Sequence, residues 1–387
     1  PYQKPDNHNN WLLDLELTHY VFHSDQEALY CQELGLEFHF KELIGEHLEF
    51  FKNKERRARL KSLLNARDEH QAIRYKMLAV VFGVELIDLK TFIMAHATAF
   101  SNDHDKYERD LKKYNLHDFY WKEIEREFNY QSESPAIYDF LLEVFNANFS
   151  LGEKRGVSQE SKILLSVWKD TLSYQESFQN LSNKIAKELN AEEKLNEATF
   201  EEVIEDDLFR IIDMKVISDI VSLIVEEEYN NGKVSQLIKK REYKYWYPWF
   251  QDLYACLEYA NNLIKLVKKH ASDPIESFSE GIKNYAEVYY QIDFQYRKFI
   301  QHHRKANQNA VLEPLLNKVE KIYCNNWLYN FNNKWQQIID QLDEWAVNPR
   351  ISQNRFFTDH VKPFINKGQR LFVIISDALR YECGWEY

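Results

Sequence analysis

The sequence predicts a mainly α protein: an irregular helical array, then a long antiparallel helix bundle, then one strand and helix that open an α/β domain. Three observations predict it. Glycine and proline are scarce, 9 and 8 of 387 residues, against roughly 7% and 5% in average proteins, so few turns and long uninterrupted helices follow. Apolar residues keep three-and-four spacing over many turns, as in Tyr285, Val288, Tyr289, Ile292, Tyr296 and Phe299. Finally, Leu371-Phe-Val-Ile-Ile375 runs without a polar break, and three of its residues are β-branched. Such a run fits a strand buried on both faces.

Residues 1–235 make up the expected array. Trp11, Leu12, Leu15 and Phe22 lie at helical spacing, and Ser24 to Glu27 forms a capping box for a helix that stops at Gly35. Helices follow at about 41–52, 54–65, 69–82 and 85–101, the third capped by Asp68 and parted from the fourth by Gly83. Leu86, Leu89, Phe92, Ile93 and His96 share one face of the fourth. Two charged amphipathic helices occupy about 103–113 and 117–129, and Ser134-Pro135 opens another that ends at Asn148. Helices at about 158–171 and 174–190 lead into a strongly acidic stretch, 191–213. A metal site is one reading of that stretch, but it has no calcium-loop aspartate ladder and reads rather as a solvated face or turn. An apolar helix at 215–229 ends at Asn230-Asn231-Gly232.

Residues 246–346 form the bundle, with helices at about 246–271, 274–306 and 310–346, their starts punctuated by Asp273-Pro274 and Glu313-Pro314. A linker, 347–370, carries one short helix near 355–365. Residues 371–387 are the strand and the helix after it, with Ser376 and Asp377 at the strand's carboxyl end. Ligands sit at such strand ends in open α/β sheets. A carboxylate there is a hard donor for a divalent cation, or else caps the following helix.

The net charge is -12, which excludes a generally basic nucleic-acid binder and leaves only local patches. The strongest patch is Lys239, Lys240, Arg241 and Lys244 with Tyr245 and Trp246, where cations could track phosphates and rings could stack on bases. Its alternative is a basic helix end followed by a core aromatic cluster. A second run, Lys52 to Lys61, reads as a solvated helix face. His19 and His23, four apart, lack a third metal ligand, and the adjacent His302 and His303 point apart. Four scattered cysteines form no Cys-x-x-Cys pair, so a reducing cytoplasm is expected. No apolar run is long enough for a membrane span. No Walker loop, dinucleotide fingerprint, nucleophile elbow or HExxH is present.

The dodecamer Leu371 to Glu382 resembles the opening of the PglZ domain, a family of alkaline-phosphatase-like metallohydrolases found in BREX phage-defence systems. Asn10 to Leu17, Phe22-His23-Ser24-Asp25 and Gln32 to Leu36 resemble the helical region that precedes that domain. The resemblance implies that residues 371–387 begin a truncated alkaline-phosphatase-like domain and that the chain is an interior piece of a longer protein. It implies that Asp377 is the first metal-ligating aspartate, for a zinc- or manganese-class ion, with the nucleophile and remaining ligands downstream. The fragment alone would then be inactive and metal-free, and its partners would be other BREX defence proteins, with DNA as a further candidate. The competing expectation is a non-catalytic helical scaffold that binds protein or nucleic acid.

Overall fold

The computed structural model describes residues 26–102, 106–154, 156–226, 232–343 and 352–386. The expected helix at Trp11–Val21, the Ser24 capping box, His19, His23 and Asn348-Pro349, expected from the sequence to end the bundle, lie outside the described residues. The fold is mainly α. It divides into two compact units, Pro1–Ala198 with Leu208–Arg210, and Thr199–Asp207 with Ile211–Tyr387. No described helix is long and apolar enough to cross a membrane.

The first unit runs through α1 (Gln26–Leu34), α2 (Lys41–Glu46), α3 (Leu48–Phe51), α4 (Lys54–Leu63), α5 (His70–Phe82) and α6 (Leu89–Ser101). It continues through α7 (Lys106–Lys113), α8 (His117–Phe128), α9 (Ile137–Asn148), α10 (Glu160–Asp170), α11 (Gln175–Glu188) and α12 (Ala191–Glu197). Local chemistry sets the ends. Asn53 accepts from the Arg56 N–H at 2.9 Å, and Asp88 from the Thr91 N–H at 3.0 Å. Gly83 closes α5 at φ 71°, a left-handed angle that a side chain would strain.

Several boundaries differ from the expectation. The helix expected at 41–52 breaks at His47, which is buried and whose Nδ1 lies 3.0 Å from the Tyr114 carbonyl. That tertiary bond has no trace in local spacing. Asp68 does not cap α5; it accepts from the Asn65 N–H and pairs with Lys76. α6 starts at Leu89, which leaves Leu86 exposed outside the helix. α9 starts at Ile137, so Pro135 precedes it. The core gathers Phe50, Phe92, Ile124, Phe140, Phe145 and Trp168. The Trp168 indole donates to the Tyr174 carbonyl at 3.0 Å, so the buried polar end of the ring is satisfied.

The second unit contains α13 (Phe200–Val203), α14 (Arg210–Glu226), α15 (Lys233–Glu242) and α16 (Tyr247–His270). α17 (Phe278–Asn284) passes through a π-helical segment, Tyr285–Tyr289, into α18 (Tyr290–Ala306). α19 (Asn309–Glu320) passes through a second, Lys321–Leu328, into α20 (Tyr329–Asp340). The expected three-helix bundle is present and antiparallel. His302 meets Asp252 and Tyr259 faces Phe294, while Tyr296 stacks on Tyr323 and Tyr289 meets Trp327. Pro314 lies inside α19 instead of starting it, and Ser277, not Pro274, caps α17.

The last stretch holds α21 (Lys362–Asn366) and α22 (Tyr381–Glu386). No strand occurs among the described residues. Leu371–Ile375, expected as a strand, carries no ladder and is exposed, with no other strand among the described residues to bond to it. The helix expected from Ala378 starts at Tyr381, after a turn in which Ala378 takes φ 54°.

Candidate functional site

Asp377 sits in that turn, exposed to solvent, between the apolar run and α22. A divalent ion needs several hard donors around one point. No group of three or more His, Cys, Asp or Glu side chains that could hold a metal occurs among the described residues. The described residues therefore do not by themselves fit a metal centre. The acidic stretch gathers no such set either; Thr199 and Glu202 form a capping box there, and Asp213 points into the interior.

The turn is anchored on its far side. α22 packs against α18, and the Tyr381 hydroxyl donates to the Ala286 carbonyl at 3.2 Å. Tyr381 lies 5.6 Å from the Tyr290 ring and Trp385 lies 5.2 Å from it. Glu386 pairs with both Arg297 and Lys298. Glu382 turns inward, 1% exposed, with Arg380 Nη1 at 3.9 Å.

The basic-aromatic stretch is divided by the fold. Arg241 and Trp246 are buried, Lys244 and Tyr245 are partly covered, and Lys239 and Lys240 stay exposed. Lys240 and Lys244 both reach Glu205, at 3.4 and 2.9 Å. Arg241 is fully enclosed and donates Nε and Nη2 to the two Asp213 oxygens at 3.0 and 2.6 Å. Its Nη1 serves the Ile204 and Asp206 carbonyls, at 2.8 and 2.6 Å. The Tyr254 hydroxyl donates to Asp213 as well, at 2.5 Å. Burial pulls the guanidinium's pKa down, but the bonded Asp213 carboxylate more than offsets this and leaves it raised. Burial, then the Asp213 charge, pushes the Tyr254 hydroxyl far above its usual range. The group is therefore a closed ion pair that ties α14, α15 and α16 together. It takes Arg241 away from any surface ligand, and Trp246 is itself buried.

Sequence reasoning left Arg297, Lys298, Tyr290 and Glu386 unassigned. Their only signal was position: Tyr290 and Arg297 are seven residues apart on one helix, and their partners lie about ninety residues later.

No protein-family profile matches the chain. No solved structure matches it. An alkaline phosphatase-like protein PglZ of Bacillus cereus (strain H3081.97) is 25% identical, over 99% of this chain and 47% of its own length. An alkaline phosphatase-like protein BrxZ of Escherichia coli O9:H4 (strain HS) is 26% identical, over 100% of this chain and 49% of its own. The chain thus spans about half the length of the curated relatives it matches. Two relatives aligned along nearly all of its residues support a likeness to the PglZ family.

Proposed function

We propose that these residues are the helical region of a PglZ-type, metal-dependent phosphohydrolase that acts in BREX phage defence in the cytoplasm. The observation that carries this reading is the exposure of the apolar run. Leu371, Phe372, Val373, Ile374 and Ile375 are 38%, 88%, 45%, 94% and 91% exposed. Burying one such side chain is worth roughly 1.5–3 kcal/mol, so five in a row mark a surface that calls for a covering layer. Partner strands of an alkaline-phosphatase-like sheet would supply that layer. The two relatives, each about twice as long and each named for that superfamily, support the same reading.

In this reading Asp377 contributes one carboxylate donor at the sheet's edge, to a zinc- or manganese-class ion whose other ligands come from elsewhere. When bound, such an ion polarises a phosphoryl oxygen. The helices position this edge and bind other BREX defence proteins. The test is hydrolysis of a nitrophenyl phosphate ester with zinc or manganese present. A protein of the relatives' length should turn it over, and Asp377→Ala should abolish the turnover. The 387-residue chain alone should not turn it over. Absence of turnover in the longer protein with either metal would sink the hydrolase reading; turnover by the chain alone, lost in Asp377→Ala, would sink its division of labour.

A further inference from the structure

α22 is short, six residues, and its sequence Tyr381-Glu-Cys-Gly-Trp-Glu386 is a poor isolated helix. Helices well under a dozen residues do not hold themselves in water, so what fixes α22 must be tertiary. Among the described residues, its ring, hydrogen-bond and ion-pair contacts named below come from one neighbouring segment, residues 285–298. Tyr381 and Trp385, four apart and so on one face, both lie on the Tyr290 ring, and Tyr381 also faces Tyr285 at 6.1 Å. The Tyr381 hydroxyl reaches the Ala286 carbonyl, within the π-helical segment. One turn further along, Arg297 and Lys298 hold Glu386. The turn just before α22 leaves Asp377 exposed, with Ala378 left-handed at φ 54°, an angle that costs a non-glycine residue about 1 kcal/mol or more. A local conformation of that kind persists only where the flanks are held.

We propose that Tyr381–Glu386 is a latch through which α18 fixes the turn carrying Asp377, making Tyr381, Trp385 and Glu386 positioning residues for that carboxylate. The positioning role rests on the hydrolase reading above; the latch itself does not. Its chemistry is mixed. The aromatic contact sets the rotation of α22, and the double cation on Glu386 sets its register along α18. Salt should therefore weaken the second component and leave the first.

Hydrogen exchange of the 387-residue chain tests the latch. The Cys383 and Gly384 amides bond to the Arg380 carbonyl at 3.1 and 3.0 Å and report whether α22 is formed. Glu386→Ala should speed their exchange roughly three- to tenfold, the range set by losing two partly exposed ion pairs. Amides of α16 should stay unchanged, which excludes general unfolding. The charge swap Lys298→Glu with Glu386→Lys should restore protection in part. Unchanged exchange in Glu386→Ala and in Tyr381→Ala overturns the latch, whatever the chain catalyses.

The positioning role is read in a protein of the relatives' length. Glu386→Ala should lower kcat about tenfold with KM little changed, and the charge swap should recover part of it. Faster exchange with an unaltered kcat overturns positioning while the latch stands. Absence of turnover in the unmutated longer protein instead removes the hydrolase reading, and the exchange result still decides the latch.

Discussion

Two stretches of the second unit invert each other. Lys239 to Phe250 is rich in cations and rings and reads from its sequence either as a binding surface or as a basic helix end leading into a core aromatic cluster, and Arg241 and Trp246 are enclosed. Leu371 to Ile375 is as oily as any part of the chain and reads as a strand that only sheet partners would bury, and Ile374 and Ile375 stand almost fully in solvent. Residue type sets what burial would cost or yield. Whether burial happens depends on partners. Arg241 has them: two carboxylate oxygens and two carbonyls meet its donors, so each guanidinium nitrogen has an acceptor and the charge can sit in the interior. The apolar run has no strand beside it among the described residues, and a lone strand cannot pair its own backbone.

The largest effect should come from breaking the partnered side of this contrast. Arg241→Ala leaves Asp213 as an enclosed carboxylate and should cost roughly 3–5 kcal/mol in urea unfolding of the second unit. Pairing it with Asp213→Leu should return most of that loss. If the single variant unfolds like the parent, the ion pair does not hold α14, α15 and α16 together.

A second buried polar group meets the same cost by another route. His96 has no carboxylate partner; burial pushes its pKa down to about 4, with a smaller upward pull from Glu108, so it stays neutral inside. Between pH 6.5 and 4 the unfolded chain takes up a proton that the folded chain refuses. Stability of the first unit should therefore fall as pH drops through that window, by about 3 kcal/mol in all. Burial lowers the pKa of His47 too, which adds loss of the same sign. His96→Leu should flatten the slope of the unfolding midpoint against pH. An unchanged slope would assign the acid sensitivity elsewhere.

Smaller effects belong to the unpartnered side. Ile374→Lys should change the stability of the 387-residue chain by less than about 0.5 kcal/mol, since an exposed side chain away from packing contributes little. The same change at Ile292, which is fully enclosed, should unfold the bundle. A large loss at Ile374 would mean that the run packs on something within the chain. The smallest effect concerns DNA. Reversing Lys239 and Lys240 should leave a low-salt gel shift unaltered, because Lys240 already faces Glu205 and the burial of Arg241 and Trp246 removes two of the six proposed contacts. A salt-dependent shift that the reversal abolishes would restore that surface.

Much of the fold was legible because it rests on local periodicity. The bundle helices announce themselves in Ile292, Tyr296 and Phe299 and in Leu312, Leu315 and Val319, since three-and-four spacing places those residues on one face whatever they meet. Helix ends were less legible. The break at His47 depends on the Tyr114 carbonyl, sixty-seven residues away. Of the candidate site, Asp377 stands out by its place after an apolar run, whereas its anchor on Arg297 and Lys298 could not be read, because side-chain pairing across the fold leaves no mark on spacing.

The sequence by itself determined that this protein is built of helices, where its long ones lie, and that one oily pentapeptide leads to an aspartate. Tertiary structure alone decided which charges go inside and which apolar residues stay out. Periodicity is a property of one segment, whereas a hydrogen-bonded ion pair or a ladder of strands exists only when a second segment arrives to complete it.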